Sequence, residues 1–370
     1  MLLFIWIVLI LLGFIVKNSK VIALFQASFA ILMITFDTGN SDQLGYINNF
    51  LMIKSNPAYI LNQNPLFNLL NYIFGVFGQY NIALFFILIL SFCFLYKGVS
   101  FYTSKISFVF SLYLISPFVI DGTQVRNFVA MCVWVYISKY LYKATIKHSF
   151  DRNAWIYLLG VFIVSLIHFS FIFTAIYVFI VFLNVYKSRN IAFIFIGIIF
   201  SVGFMKYFMN LMNFLGKSGI ESFQTALVKI NDYTANYNIG SANARLKATA
   251  FFYIIIFIVF LLVYKNAKNN FSNSVYNYYL FIVKLTIVSL PLIFIINYSM
   301  EIYRMQRNLL LMYYILFALL YRKKVSNQRN VISMQNLMIN VISIVISLFY
   351  LLTEAIIWNY DSVFKVMFHF

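Results

Sequence analysis

Charge and cysteine are both scarce in this chain, and each shortage excludes a class of protein. Charged residues make up 10% of the 370 residues, against roughly 25% in a soluble domain. The two cysteines, Cys93 and Cys132, lie inside apolar stretches, so they indicate neither a disulfide framework nor a zinc site. The sequence contains no C-x-x-C, H-E-x-x-H, Walker or G-x-G-x-x-G pattern. We therefore expect neither a metal nor a cofactor.

The chain consists mainly of long apolar runs. Hydrophobic residues make up 63% of it, and they follow one another rather than alternating with polar residues. A helix crosses a bilayer with about 20 apolar residues, whereas the strands of a membrane barrel alternate apolar and polar positions. The sequence therefore predicts an all-α polytopic membrane protein that folds as a single integral membrane domain over residues 1–370.

The apolar runs give about twelve transmembrane helices at the usual span length, some of them short or re-entrant. The candidate spans are 2–16, 21–36, 80–96, 106–120, 127–142, 154–167, 170–183, 191–208, 248–264, 276–296, 308–321 and 331–352. The segment 65–78 is apolar enough to form a further re-entrant or interfacial helix.

Basic residues are distributed unevenly between the connections. Well over half of the 27 lysines and arginines lie in alternate short connections that hold almost no acid. Such connections are cytoplasmic by the positive-inside rule. Both termini are then extracytoplasmic, and the long connections 37–79 and 209–247 are outer loops. This distribution also accounts for the net charge of +18, so we predict no nucleic-acid partner.

Arg126 lies on the outer side, against this bias, in the segment DGTQVR. Asp121-Gly122 interrupts the apolar run, Thr123 is a candidate cap, and an inward-running helix follows. The N-terminus of a helix attracts anions, and a guanidinium fork matches phosphate oxygens in pairs. Arg126 is therefore a candidate clamp for phosphate or pyrophosphate. A structural pair with Asp121, or snorkelling to lipid headgroups, is an equal alternative.

His168 falls between two short apolar spans, 154–167 and 170–183, which the sequence predicts to meet near the outer surface. A histidine at membrane depth is a functional candidate, and an imidazole with a pKa near 6.5 suits proton transfer. The alternative is a histidine that bonds a neighbouring helix, which is the commoner case for a single histidine.

Glu301, Arg304 and Arg307 form a third outward group. Their spacing of three gives them a broad common face if the segment is helical. Glu301 can pair with Arg304, which leaves Arg307 at the start of the inward helix 308–321. Two inward helices that each begin with an arginine suggest two halves of one anion site. An interfacial ion pair explains the group equally well.

Two outer connections supply weaker candidates. Asp42 and Tyr46 lie four residues apart in TGNSDQLGYINNF, which is typical of a polar loop. Tyr233 and Tyr237 are candidates to stack on sugar faces, and Arg245 lies in the same connection.

These motifs resemble the EpsG-like family of bacterial polysaccharide polymerases. The resemblance rests on an arginine before an apolar helix in VRNFVAMCVWVYISKYLYK and on the His-x-Ser step that ends LLGVFIVSLIHFS. The D-x-x-x-Y of Asp42 and Tyr46, the following PLFNLLNYIF and the aromatic end VFKVMFHF also fit. The family often has glutamine after the arginine where this chain has Asn127. That departure weakens any role given to Asn127.

The resemblance implies a Wzy-type membrane glycosyltransferase with a GT-C-like fold in the bacterial cytoplasmic membrane. Such an enzyme joins oligosaccharide repeat units carried on undecaprenyl pyrophosphate, on the outer face, to build O antigen, capsule or exopolysaccharide. A flippase and a chain-length regulator are implied as working partners. Arginines are expected to act where soluble glycosyltransferases use Mg²⁺, so the reaction is expected to be metal-independent.

The implied roles fall on the outward polar residues. Arg126, Arg304 and Arg307 are candidates to hold the donor pyrophosphate. His168, Glu301 and, as a lesser candidate, Asp42 are candidates for the base. The candidate sugar-binding residues are Tyr46, Tyr233, Tyr237 and Arg245.

Three other classes of protein remain open. A flippase or transporter for the same lipid-linked sugar would have a similar helix count, but internal repeats with matched broken helices are not visible here. A membrane O-acyltransferase would also use a histidine, but the short cytoplasmic connections leave little room for an acyl donor. A non-catalytic assembly subunit is the third alternative.

Overall fold

A computed structural model describes residues 1–37, 42–183, 249, 253–257, 260, 272–290, 304, 306–321, 329–357 and 360–368. Within these ranges the chain forms helices joined by short connections, and no strand occurs among them. The predicted spans 191–208 and most of 248–264 lie outside the described residues.

The chain packs as two compact units. Unit 1 comprises Met1–Lys143, Phe150–Ala175 and Asn308–Phe370, and unit 2 comprises Ala144–Ser149 and Ile176–Arg307. Each unit is described by itself below. The single membrane domain expected from the sequence stays a prediction.

The helices follow the predicted spans closely. They are α1 Leu2–Ile15, α2 Lys20–Phe36, α3 Gln43–Ser55, α4 Pro65–Gly75, α5 Tyr80–Tyr102, α6 Ile106–Ile115, α7 Phe118–Thr123, α8 Val125–Lys147, α9 Arg152–Ser165, α10 Asn273–Ser289, α11 Leu310–Leu320, α12 Arg329–Tyr350 and a short α13 Lys365–Phe368. Pro57–Leu61 and Phe169–Val181 are 3-10 helices, and Leu351–Ile357 and Tyr360–Phe364 are π-helical.

One predicted span is divided by a proline. The apolar run 106–120 forms α6 and α7, with Ser116 extended between them. The residue before a proline is disfavoured in the helical region, because the proline ring clashes with its backbone. Pro117 therefore ends α6 at Ile115 and lets a new helix start at Phe118.

The structure corrects the polar loop that the sequence predicts for 38–50. From Gln43 the chain forms α3, and Tyr46, Phe50 and Ile53 are buried along it. Their spacing of four and three residues marks one face of a helix, which the intervening asparagines obscure in the sequence. This face packs on α4, where a Cβ on Gly75 would lie 2.9 Å from the Phe50 ring.

Helix α6 is the centre of unit 1, because all ten of its residues are buried. It joins α1 and α2 through a polar seam. The Ser111 hydroxyl donates to the Ile10 carbonyl oxygen (2.9 Å), and the Gln26 amide donates to the Ser111 oxygen (2.8 Å). A Cβ on Gly13 would lie 2.1 Å from the Ser111 oxygen, so the close approach of α1 requires glycine.

Two described helices are long and apolar enough to cross a membrane, judged by length and composition alone. They are Tyr80–Tyr102 and Asn336–Glu354. Several shorter apolar helices, including α1, α2 and α9, accompany them. Large apolar side chains on α2 face outward, and Val21, Leu24 and Phe25 are each more than 60% exposed. An apolar surface of this kind marks contact with lipid or with another protein.

Two lysines that the sequence predicts to be cytoplasmic meet at one end of unit 1. The Lys105 ammonium donates to the carbonyl oxygens of Ala318 (2.6 Å) and Tyr321 (2.7 Å), at the C-terminal end of α11. The Lys17 ammonium lies 4.5 Å from the centre of the Tyr321 ring. Cations stabilise the negative end of a helix dipole, so this contact is favourable for α11. The side of the membrane on which they lie stays a prediction.

Candidate functional site

A small polar cavity lies where α2 ends, α3 and α5 begin, and α7 gives way to α8. Its volume of about 10 Å³ is room for one water-sized group. All of its lining residues belong to unit 1. The polar ones are Thr35, Asp37, Gln43, Tyr46, Tyr80 and Asn81. We refer to this feature as the polar cavity.

Arg126 stands beside the polar cavity, in the first turn of α8. The chain leaves α7 at Thr123, whose hydroxyl donates to the Ile120 carbonyl oxygen (2.9 Å), and α8 begins at Val125. The predicted helix start is therefore confirmed, two residues earlier than expected, although Asp121-Gly122 lies inside α7 and the break between the helices falls at Gln124. The Arg126 guanidinium is half-buried, and its carbon lies 5.2 Å from the centre of the Tyr46 ring.

Tyr46 is the residue that α3 contributes to this contact, and it is buried. Burial raises the pKa of the Tyr46 hydroxyl above its ordinary value. The charge of Arg126 and its hydrogen bonding to Tyr46 lower this pKa, whereas the charge of Asp42 raises it further. A guanidinium over an aromatic face gains a cation–π attraction that strengthens with burial. The structure thus brings together Arg126, Tyr46 and Asp42, which the sequence proposed separately.

Asp42 and Asp37 differ in exposure although they are close in sequence. Asp42 precedes α3 and is exposed. Asp37 ends α2, is 4% exposed and lines the polar cavity. Its carbonyl oxygen accepts a hydrogen bond from the Gln43 amide (2.9 Å). Sequence reasoning missed Asp37; the available signal was an acid placed directly after an apolar span on the predicted outer side.

Two buried hydroxyl groups at the polar cavity have no hydrogen-bond partner within the described part of the chain. They belong to Thr35, which is 2% exposed, and Tyr80, which is 6% exposed. Buried polar groups in proteins are nearly always satisfied, so such groups point to a site that binds something. Tyr80 was also missed, because a tyrosine at the start of an apolar span carries no distinctive pattern.

The residues that follow Arg126 and Arg307 in the chain are bonded to each other. The Asn127 amide nitrogen donates to the Asn308 amide oxygen (3.2 Å), and the Asn308 nitrogen donates to the Asn127 oxygen (3.1 Å). Both side chains are buried and both belong to unit 1. This pair joins the start of α8 to the segment that leads into α11.

His168 lies in the short connection between α9 and the 3-10 helix Phe169–Val181, which confirms the predicted bend. The side chain is half-buried, and its ring centre lies 6.3 Å from that of Phe171. The start of α4 packs on this connection, because the Leu66 N–H donates to the Leu166 carbonyl oxygen (3.0 Å). His168 is not among the residues that line the polar cavity.

Unit 2 holds the other two arginines. Arg304 is half-buried and Arg307 is 2% exposed. Next to Arg307, the Gln306 amide donates to the Ser289 carbonyl oxygen (3.4 Å), and the Ser289 hydroxyl pairs with that of Tyr253 (2.9 Å). The candidates Glu301, Tyr233, Tyr237 and Arg245 lie outside the described residues.

A metal site is not apparent in the part of the chain that the structure describes. No group of three or more histidine, cysteine, aspartate or glutamate side chains there could hold an ion. The cationic group at the polar cavity is a guanidinium, which binds anions directly.

Apolar helices with exposed apolar faces are typical of a helical membrane protein, and in this one a half-buried arginine stands beside a polar cavity. The model of the EpsG family matches residues 20–364, nearly the whole chain, so the chain belongs to the EpsG family. No curated protein and no solved structure matches the chain. Family membership indicates a polysaccharide polymerase type of role on a lipid-linked sugar in a membrane.

Proposed function

We propose that this chain is a membrane glycosyltransferase of the polysaccharide polymerase type. It joins oligosaccharide repeat units carried on undecaprenyl pyrophosphate, at the outer face of the bacterial cytoplasmic membrane. The growing chain leaves its lipid pyrophosphate and is transferred to the non-reducing sugar of the next lipid-linked unit. Membership in the EpsG family supports this proposal.

The observation that carries the proposal is the position of Arg126. Its guanidinium lies in the first turn of α8 and over the Tyr46 ring. A helix N-terminus and a guanidinium together favour an anion. A guanidinium carries more N–H donors than the Tyr46 hydroxyl, to which Arg126 also hydrogen-bonds, can accept, and its planar fork matches phosphate oxygens in pairs. Stabilising the charge on the departing pyrophosphate lowers the barrier to transfer.

Arg304 and Arg307 complete the pyrophosphate clamp in this proposal. Support comes from the sequence, in which Arg307 stands before an inward-running span as Arg126 does. The guanidinium groups take the place of a metal ion at the leaving group.

The remaining outward residues are assigned to the sugars. The sequence offers His168 and Glu301 as candidates to accept or orient the proton of the acceptor hydroxyl, with Asp42 as the lesser candidate. Tyr46, Tyr233, Tyr237 and Arg245 contact sugar rings. A flippase supplies the lipid-linked unit from the cytoplasmic face, and a chain-length regulator limits the product.

Deletion of the gene in its own host tests the proposal. The surface glycan and the lipid-linked pool are resolved by size, and the expected result is loss of long polymer with single repeat units on the outer face. Repeat units retained on the cytoplasmic face would instead indicate a flippase. Unchanged polymer length with loss of a sugar modification would indicate an acyltransferase.

A further inference from the structure

The position of the leaving group limits where the base for the acceptor can lie. In glycosyl transfer, the anomeric carbon is one bond away from the pyrophosphate oxygen. The acceptor hydroxyl must approach that carbon at about 3–3.5 Å, and its base must be within hydrogen-bond reach of the same hydroxyl. If Arg126 holds the pyrophosphate, the base lies in its immediate surroundings.

Three carboxylates of unit 1 lie close to Arg126 in sequence or through Tyr46. Asp42 is exposed, so water screens it. Asp121 is 0% exposed and is not among the residues that line the polar cavity. Asp37 is buried and lines the polar cavity together with Tyr46, the residue on which Arg126 rests. Asp37 is therefore a buried carboxylate that lines the polar cavity, next to the Tyr46 ring on which Arg126 rests.

The polar cavity is suited to a single hydroxyl group. Its volume of about 10 Å³ admits one oxygen-sized group. The Thr35 and Tyr80 hydroxyls have no partner among the described residues, and each can both donate and accept a hydrogen bond. A buried hydroxyl without a partner is unfavourable, and a bound hydroxyl group would satisfy it. A sugar hydroxyl at this position would contact Thr35, Tyr80 and the Asp37 carboxylate.

We propose that Asp37 is the catalytic base, and that the polar cavity holds the hydroxyl of the acceptor sugar. This inference rests on the proposed polymerase function. The acceptor oxygen forms a bond to the anomeric carbon of the donor, and the bond from that carbon to the pyrophosphate oxygen breaks. The electron pair leaves with the pyrophosphate, whose charge Arg126 stabilises. The acceptor proton passes to the Asp37 carboxylate and then to water.

The experiment uses full-length protein in lipid nanodiscs and lipid-linked repeat units extracted from the deletion strain. Rates of polymer formation are measured while the concentration of repeat units is varied. Asp37→Asn keeps the shape of the side chain and removes the base. Asp361→Asn is the matched control, because Asp361 is an exposed carboxylate that belongs to no proposed site and pairs with Lys365 at 3.6 Å. Tyr80→Phe removes only a hydroxyl that bonds nothing in the described protein, so a purely structural role predicts unchanged or higher stability.

For Asp37→Asn we expect kcat to fall by about 10²–10⁴-fold with little change in KM, the usual contribution of a general base. Asp361→Asn should stay within about threefold of the wild type, as expected for an exposed carboxylate in a surface ion pair. Tyr80→Phe should raise KM by about threefold to tenfold at unchanged thermal stability, the value of one hydrogen bond.

Three results would overturn the inference. One is Asp37→Asn with normal kcat, and another is an equal loss of kcat in Asp361→Asn. If the Asp37→Asn protein does not fold, the Tyr80→Phe protein is the test of the acceptor site. Wild-type kcat and KM in Tyr80→Phe would then show that the polar cavity does not bind the acceptor hydroxyl. A wild-type protein that forms no polymer would contradict the polymerase function itself. This result differs from an active wild type with an unaffected Asp37→Asn variant, which would contradict only the role of Asp37.

Discussion

Asn127 and Asn308 exchange two hydrogen bonds between buried amides, at 3.2 and 3.1 Å. Each amide satisfies the other, so the pair is complete without water. The pair joins two chain segments that are far apart in sequence, immediately after Arg126 and Arg307, two of the three arginines assigned to the pyrophosphate. Asn127 was expected to have a weakened role because the family often has glutamine there. In this chain the shorter side chain of Asn127 is matched by the amide of Asn308.

The asparagine pair should show strong energetic coupling. Asn127→Ala leaves the Asn308 amide buried without its partner, and we expect a loss of about 1–3 kcal/mol in the free energy of unfolding. Asn308→Ala should cost a similar amount, and the double variant should cost clearly less than the two together. Thermal unfolding of the three variants in detergent gives the coupling. Additive losses would contradict a direct pair.

Arg126→Lys tests whether the planar guanidinium is needed. Lysine keeps the charge but loses the fork and its stacking on the Tyr46 ring. We expect polymer formation to fall by about 10–100-fold, since a charge-assisted hydrogen bond contributes about 1.5–3 kcal/mol. The rate is measured with the nanodisc protein, and membrane levels are compared by immunoblot. Full polymer length and rate in Arg126→Lys would exclude a bidentate clamp.

His168→Ala should be less damaging than Arg126→Ala. His168 stands outside the polar cavity, in the bend between α9 and the following 3-10 helix. Loss of the arginine removes the stabilisation of the leaving group, and electrostatic stabilisation of this kind usually contributes more to catalysis than a general base does. Polymer ladders from the complemented deletion strain compare the two variants at equal protein levels. A greater loss of polymer in His168→Ala than in Arg126→Ala would indicate that the base is His168, in the connection after α9.

Tyr46 gives the protein a predicted sensitivity to alkaline pH. Burial raises the pKa of Tyr46 in the fold, whereas an unfolded tyrosine ionises near 10. Stability is fully present below about pH 10 and is lost as the pH rises above it, because the unfolded chain releases the proton first. Tyr46→Phe keeps the ring under Arg126 and should reduce this loss. Unfolding at about pH 9 and pH 10.5 in detergent, on either side of the ordinary tyrosine pKa, measures the difference between the two proteins.

Two glycines provide a matched test of packing. A Cβ at Gly13 would meet the Ser107 carbonyl oxygen at 2.5 Å, so Gly13→Ala must push α1 away from α6. We expect a loss of about 1–3 kcal/mol in the free energy of unfolding, typical of overpacking. Gly45 in α3 has nothing within 4 Å of its Cβ position, so Gly45→Ala should be neutral or stabilise by up to about 1 kcal/mol. Equal effects at both positions would refute the close approach of α1.

The sequence predicts local features of this protein well. The helices α1, α2, α5, α8 and α9 fall on predicted apolar runs, and Arg126 stands at a helix start as its surroundings indicate. The bend at His168 is also where the pattern places it. The helix α3 was missed, because polar residues interrupt an apolar face that only packing against α4 makes evident.

The sequence by itself therefore determined the class of the protein, the run of helices and the family, because these follow from local hydrophobicity, charge and short motifs. Only the tertiary structure decided that Arg126 rests on Tyr46, that Asn127 meets Asn308, and that Asp37 is buried beside a cavity while Asp42 is exposed. The physical reason is that a cavity and its contacts depend on how several distant segments pack. Two aspartates five residues apart look alike in sequence, and only burial distinguishes them.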